Sequence, residues 1–326
     1  MSNRGDRRRK KAKAKPKPGK RPSSEASFID EATLLSDDPD ESLSAILKTL
    51  PKIVGLQPTK IGEGSQMAGD RDAAQDLINL PRLCQHYVHG SIEFIKTLHR
   101  ILPTKSGRVE IPRYSAYPLI RGVIEHSAQA AWILGGSDRR ERFVRLLQAQ
   151  KSDMIYDRRY LDSTSSPSHL RDDDTAETRS GINQLQREAK ASWDRRMAKL
   201  VEIADTFGIN KSEFDRGISG GYEGIVYQAT YEAQRRDGAH TENESHWTGR
   251  YAASVWMFIS GLTHPSVSRA WANAPGDQPN GTLQAVQTAS NPLIVRNSLA
   301  VGLRLQADAF VLWKLGCITP DGGKPG

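Results

Sequence analysis

Residues Tyr117–Leu134 read YPLIRGVIEHSAQAAWIL, and this stretch decides the fold. At 100° per residue, Leu119, Ile120, Val123, Ile124, Ser127, Ala130, Ala131 and Leu134 fill one half of a helix. Arg121, Glu125, His126 and Gln129 share the other half with Gly122 and Trp132. Gly122, Ser127, Ala128, Ala130 and Ala131 are small enough to let neighbouring helices approach closely. Such a segment belongs at the centre of a helical core, and its polar residues are the first candidates to line a site.

Working outward, the same periodicity recurs and strand-like alternation does not. Asp40 or Ser42 is placed to cap a short helix ending at Pro51, and a long helical region runs from about 70 to 102 with a break or kink at Pro81. Pro118 falls in the first turn of the central helix, where proline is tolerated. Asp138 with Glu141 has the spacing of a capping box and opens a helix to about 161. Further helices are expected over 175–207, 225–236, 251–262 and 291–315, with loops at 163–173 and 237–246 and an extended pair around 283–286. The expected fold is all-α: one bundle of six or seven helices over residues 41–317, with disordered segments at 1–40 and 318–326.

Charge is distributed unevenly. Residues 1–22 hold eleven Lys or Arg and one Asp, a net of +10. The whole chain carries +8, so the other 304 residues sum to −2. This segment has no large apolar side chain after its first residue and cannot offset its chain entropy by burial, so it reads as a disordered arm. Residues 23–40 reverse the sign with Glu25, Asp30, Glu31, Asp37, Asp38 and Asp40. Arg7, Arg8, Arg9, Lys10, Lys11, Lys13, Lys15 and Lys17 are the candidate contacts to DNA, RNA or another polyanion. Two cysteines, Cys84 and Cys317, give neither a disulfide framework nor a cysteine zinc site, which fits a reducing cytoplasm. The late apolar stretch 299–315 carries Arg304, Asp308 and Lys314 and is not a membrane span.

Three sets of residues carry candidate chemistry. His86, His89 and Glu93 share one helix face and have metal-ligating side chains, yet Arg82, Lys96 and Arg100 fall on the same arc. A solvated amphipathic face accounts for them, and no metal or other cofactor is expected. Arg121 and Glu125, at i and i+4, are spaced to form a side-chain pair that holds a half-buried helix in register. Ser260, Thr263 and His264, at the end of an apolar helix, could instead meet Arg121, Glu125 and His126 in one polar pocket. The phosphate-binding loop and the dinucleotide fingerprint are both missing from the sequence.

Two resemblances follow from these residues. Arg121 and His126, as Arg-x4-His in a helical setting, resemble the metal-independent ribonucleases of the HEPN group. That likeness implies phosphodiester chemistry by the arginine and histidine, with pairing across a homodimer. RGVIEHSAQAAWIL, then DRRERF, then SGLTHP resembles a group of uncharacterised all-helical actinobacterial proteins over about residues 75–315. That implies a helical fold and supplies no activity. The reading favoured by the residues themselves is a non-catalytic helical protein attached to nucleic acid by its arm. The alternative is an enzyme acting on nucleic acid or nucleotides through Arg121 and His126.

Overall fold

A computed structural model describes residues 38–263 and 291–319, apart from short gaps at 58, 75–76, 103, 106–107, 113–114, 165, 167–169 and 172–173. The expected basic arm, the extended pair around 283–286 and most of the C-terminal tail lie outside the described residues. In chain order the helices are α1 Pro39–Val54, α2 Gln66–Ala74, α3 Leu80–Ile101, α4 Ala116–Leu134 and α5 Arg139–Thr164. They continue with α6 Ala176–Thr206, α7 Lys211–Phe214, α8 Gly221–Asp237, α9 Glu242–Leu262 and α10 Pro292–Cys317. The described residues thus form ten helices, more than the six or seven expected, and one small antiparallel pair, β1 Thr104–Lys105 with β2 Arg108–Val109.

The surplus has local causes. Pro81 does not kink one long helix; it sits in the first turn of α3, where its missing N–H costs nothing, and Asn79 caps that turn by accepting from Arg82 N at 2.9 Å. The expected 70–102 region is therefore two helices, α2 and α3. Asp38 caps α1 with its Oδ1 accepting from Asp40 N at 2.9 Å, so the helix starts before Asp40 and continues through Pro51 to Val54. Thr241 and Glu244 form a reciprocal capping box that starts α9 nine residues before the expected Tyr251. Asp138 and Glu141 open α5 as their spacing foretold: Glu141 N donates to Asp138 Oδ1 at 2.8 Å, and Ser137 N to Glu141 Oε2 at 2.7 Å.

Helix α4 is the axis of the bundle, with fourteen of its nineteen residues buried. It packs most closely against α3 and α10, then against α8 and α9, with α1 closing the far side of α3 and α10. Close approach depends on missing side chains. A Cβ on Gly122 would strike the Phe94 ring of α3 at 2.7 Å, and one on Gly302 of α10 would meet Val123 at 3.0 Å. Where apolar contact gives way, polar groups are matched across helices. The hydroxyls of Ser91 and Ser127 both reach Gln306 Oε1 on α10.

Ion pairs tie the outer helices to this centre. Asp70 of α2 is fully buried and takes Arg142 through both oxygens at 2.7 and 2.9 Å, with Arg139 on one of them at 2.9 Å. Arg145, one turn further along α5, donates to Glu232 of α8 at 2.7 and 2.9 Å and to the Trp132 carbonyl. Arg236 of α8 reaches Asp308 of α10 at 2.5 Å. Helices α5 and α6 run on beyond this core as a largely exposed hairpin arm. No helix among the described residues is long and apolar enough to cross a membrane.

Candidate functional site

The polar half of α4 divides between two neighbours. Arg121 Nε donates to Glu125 Oε1 at 2.6 Å, and Arg121 Nη1 donates to Thr263 Oγ1 at the end of α9 at 3.1 Å. The indole Nε1 of Trp256, also on α9, donates to the same Glu125 oxygen at 3.0 Å. The guanidinium carbon of Arg121 lies 5.8 Å from the Trp256 ring centroid, within cation–π range. Thr263 completes the chain by donating to the Ser260 carbonyl at 2.7 Å. One carboxylate, one guanidinium, one indole and one hydroxyl thus form a closed set joining α4 to α9.

His126 faces another way. Five residues along a helix turn a side chain by about 140°, which carries it from α9 to α3. Its Nδ1 donates to the Gly122 carbonyl at 3.0 Å, and the ring rests where Gly90 of α3 leaves space. Phe94 meets it edge-on at 5.2 Å, Tyr87 at 6.0 Å, and His86 lies tilted at 6.3 Å. Burial pushes the His126 imidazole below its ordinary 6.5; the Gly122 carbonyl and Glu125 oppose the shift, and His86 adds to it. A neutral ring donating through Nδ1 presents only a lone pair at Nε2 and has no proton there to give a leaving group.

The expected meeting of Arg121, Glu125, His126, Ser260, Thr263 and His264 is therefore realised in part. Arg121, Glu125 and Thr263 come together, and Ser260 joins through its backbone. His126 turns to α3, and His264 lies outside the described residues. His86, His89 and Glu93 are exposed on α3, with Glu93 paired to Lys96 at 3.5 Å. Among the described residues no group of three or more His, Cys, Asp and Glu is placed to hold a metal ion. Burial keeps both thiols protonated: Cys84 is raised far above the ordinary range and Cys317 is pushed up to about 12. Neither is an activated nucleophile.

Sequence reading missed the groups that face α4 from outside it. Tyr222 of α8 leans on the Trp256 ring at 6.3 Å; burial, helped by Glu125 and Asp153, pushes its hydroxyl up to about 12. Tyr87 is raised by burial and then by Asp153 and Tyr222. Asp153 of α5 is exposed at its surface, yet the protein around it and then Asp157 raise its carboxyl, against the opposing charge of Arg196. These three lie 28 to 97 residues from Glu125 in sequence, and no local pattern marks them. A shallow cleft of about 380 Å³ lies elsewhere, between α5 and α6, lined by Arg158, Asp162, Asn183, Gln186, Arg187, Ala189 and Lys190. None of its lining residues belongs to α4.

Compared with protein-family models, with curated proteins and with solved structures, the chain matches none.

Proposed function

We propose that this is a non-catalytic helical protein whose N-terminal arm, residues 1–22, binds nucleic acid or another polyanion without sequence preference. The observation that carries the reading is the charge division: a net of +10 within 22 residues against −2 for the remaining 304. A chain segment of that density draws phosphates and releases their condensed counterions. The set on α4 supports the non-catalytic half of the reading, because Arg121 and Glu125 satisfy each other and α9, while His126 is packed neutral against α3.

The test is a titration of the intact chain and of a chain lacking residues 1–22 against duplex DNA and single-stranded RNA at two salt concentrations. With six to ten phosphates engaged, affinity of the intact chain falls roughly 10³- to 10⁵-fold between 50 and 200 mM salt. Truncation abolishes binding. Equal affinity of the two chains, or no binding of the intact chain at low salt, overturns the reading. Cleavage of the RNA during the titration, abolished by Arg121→Ala and His126→Ala with unchanged thermal stability, would instead establish the ribonuclease alternative.

A further inference from the structure

Along α6 one line of residues follows steps of three and four: Asn183, Gln186, Lys190, Trp193, Met197 and Leu200. That is the spacing with which one helix lies along another, and the helix alongside is α5. From Trp193 onward the line is apolar, as such a seam requires. Lys151 Nζ of α5 lies 4.7 Å from the Trp193 ring centroid and donates to Met197 Sδ at 3.1 Å, and Leu200 is buried. Before Trp193 the line turns polar, and no described residue of α6 ahead of Leu200 is buried. On α5 the change falls at the same level: Arg158 and Asp162 stand about two and about three turns beyond Lys151. Charged and amide side chains at seam positions do not close on each other, and the cleft of about 380 Å³ remains between the helices. Its size is at the small end for pockets that hold a small molecule, and facing helices are a common place for such sites.

The charges in the cleft are unevenly matched. Arg158 Nε holds Asp162 at 2.9 Å, so the one lining carboxylate is taken up within α5. Arg196, at the base of the cleft, is paired across to Asp157 at 2.6 Å. Arg187 donates through Nη2 to the neutral amide oxygen of Gln184 at 2.8 Å and has no carboxylate partner among the described residues. A guanidinium has five N–H donors, so most of these are left to bind. Lys190, three residues along the same wall, reaches Asp194 at 2.8 Å outside the cleft. Both ends of that pair are exposed, and a surface pair of this kind is weak. Arg187 and Lys190 thus stand as two neighbouring cations with no carboxylate between them. Matching both takes two negative charges on one small group. A carboxylate carries one, whereas the phosphoryl group of an ester carries about 1.5–2 at pH 7 and three acceptor oxygens. The guanidinium fork fits those oxygens two at a time.

We infer that the cleft between α5 and α6 binds the phosphoryl group of a small molecule, with Arg187 and Lys190 holding its oxygens and Asn183 and Gln186 beside them to meet the remainder. The site is distinct from the polyanion-binding arm proposed above: it takes one small dianion rather than a polymer backbone.

The full chain is titrated with orthophosphate and with glycerol 3-phosphate by isothermal calorimetry at about 50 mM salt, where screening of exposed charges is weak. Each probe shows a component of one site per chain. Arg187→Ala weakens it roughly ten-fold or more, the loss that goes with a charge-assisted hydrogen bond. Arg187→Lys keeps the charge but not the fork and falls between. Arg195→Ala removes an exposed cation of α6 that does not line the cleft, and leaves binding unchanged. Anions held by residues 1–22 contribute equally to every variant, so the comparison isolates the cleft. Tighter binding of the ester than of orthophosphate, lost in Asn183→Ala, identifies a phosphate ester as the ligand; equal affinities identify free phosphate. Circular dichroism checks that each variant keeps its helix content. Absence of binding by either probe, binding indifferent to Arg187→Ala, or an equal loss on Arg195→Ala overturns the inference.

Discussion

Replacing Glu125 by alanine removes the shared acceptor of the α4–α9 joint, and its cost follows from what remains. Arg121 Nε at 2.6 Å and Trp256 Nε1 at 3.0 Å both lose their partner. The side chains of Arg121 and Glu125 are only 29% and 17% exposed, so water replaces these bonds incompletely. A charge-assisted hydrogen bond contributes about 1.5–3 kcal/mol and an unsatisfied donor costs about 1–3 kcal/mol; discounted for partial exposure, Glu125→Ala costs about 2–3 kcal/mol. Arg121→Ala leaves Glu125 with the indole as donor and loses the stacking on Trp256, so it costs about 1.5–2.5 kcal/mol. The double variant strands neither charge, and its cost falls short of the sum by about 1 kcal/mol. Urea unfolding of the four proteins, followed by circular dichroism, measures this cycle. Strict additivity, or single losses below about 0.5 kcal/mol as for ordinary surface positions, would refute the view of this set as a structural joint.

Two further outcomes test the neighbouring polar groups. Asp70→Ala strands Arg142, which is only 5% exposed, beside a lost bidentate partner, and costs about 3–5 kcal/mol in urea unfolding; a loss below about 1 kcal/mol would show that α2 is not held by this pair. His126 has a folded-state pKa depressed below 6.5, so the unfolded chain binds its proton first and stability falls as pH drops below about 6.5. His126→Gln flattens that acid slope in melting temperatures taken between pH 7 and 5, and a slope unchanged by the substitution would refute the burial argument.

What the sequence made legible was the fold wherever the determinants are local. The position of α4 and the run of helices after it follow from apolar residues at i, i+3 and i+4, and the start of α5 from Asp138 and Glu141. The misreadings also have local causes. A proline marks either an end or a beginning, and only the neighbouring cap tells which: Pro81 begins α3 because Asn79 accepts from Arg82 N. The start of α9 was hidden because its first turns, with Glu242, Asn243, Glu244 and His246, are polar and solvent-facing. There the capping residues, not the apolar period, carry the signal.

The site was legible as far as the i, i+4 relation reaches. Arg121 and Glu125 pair as their spacing implies, because both contacts lie on one helix. The rest depends on which element lies opposite, and a spacing does not contain that. Arg121 and His126 look adjacent in sequence, yet the rotation between them sends one to Thr263 of α9 and the other to Gly90 of α3. The same holds for Arg139, Arg142 and Arg145, which sequence shows only as a basic stripe on one face of α5. Each finds a carboxylate 69 to 87 residues away, on α2 or α8, so this stripe is a seam between helices of the bundle. A basic stripe on a helix and a basic arm in an apolar-poor segment therefore have opposite meanings. On the helix the neighbours supply the counter-charge, and the positive charge is spent on folding. For residues 1–22, whose sequence holds little apolar surface, the function proposed above draws the counter-charge from a partner.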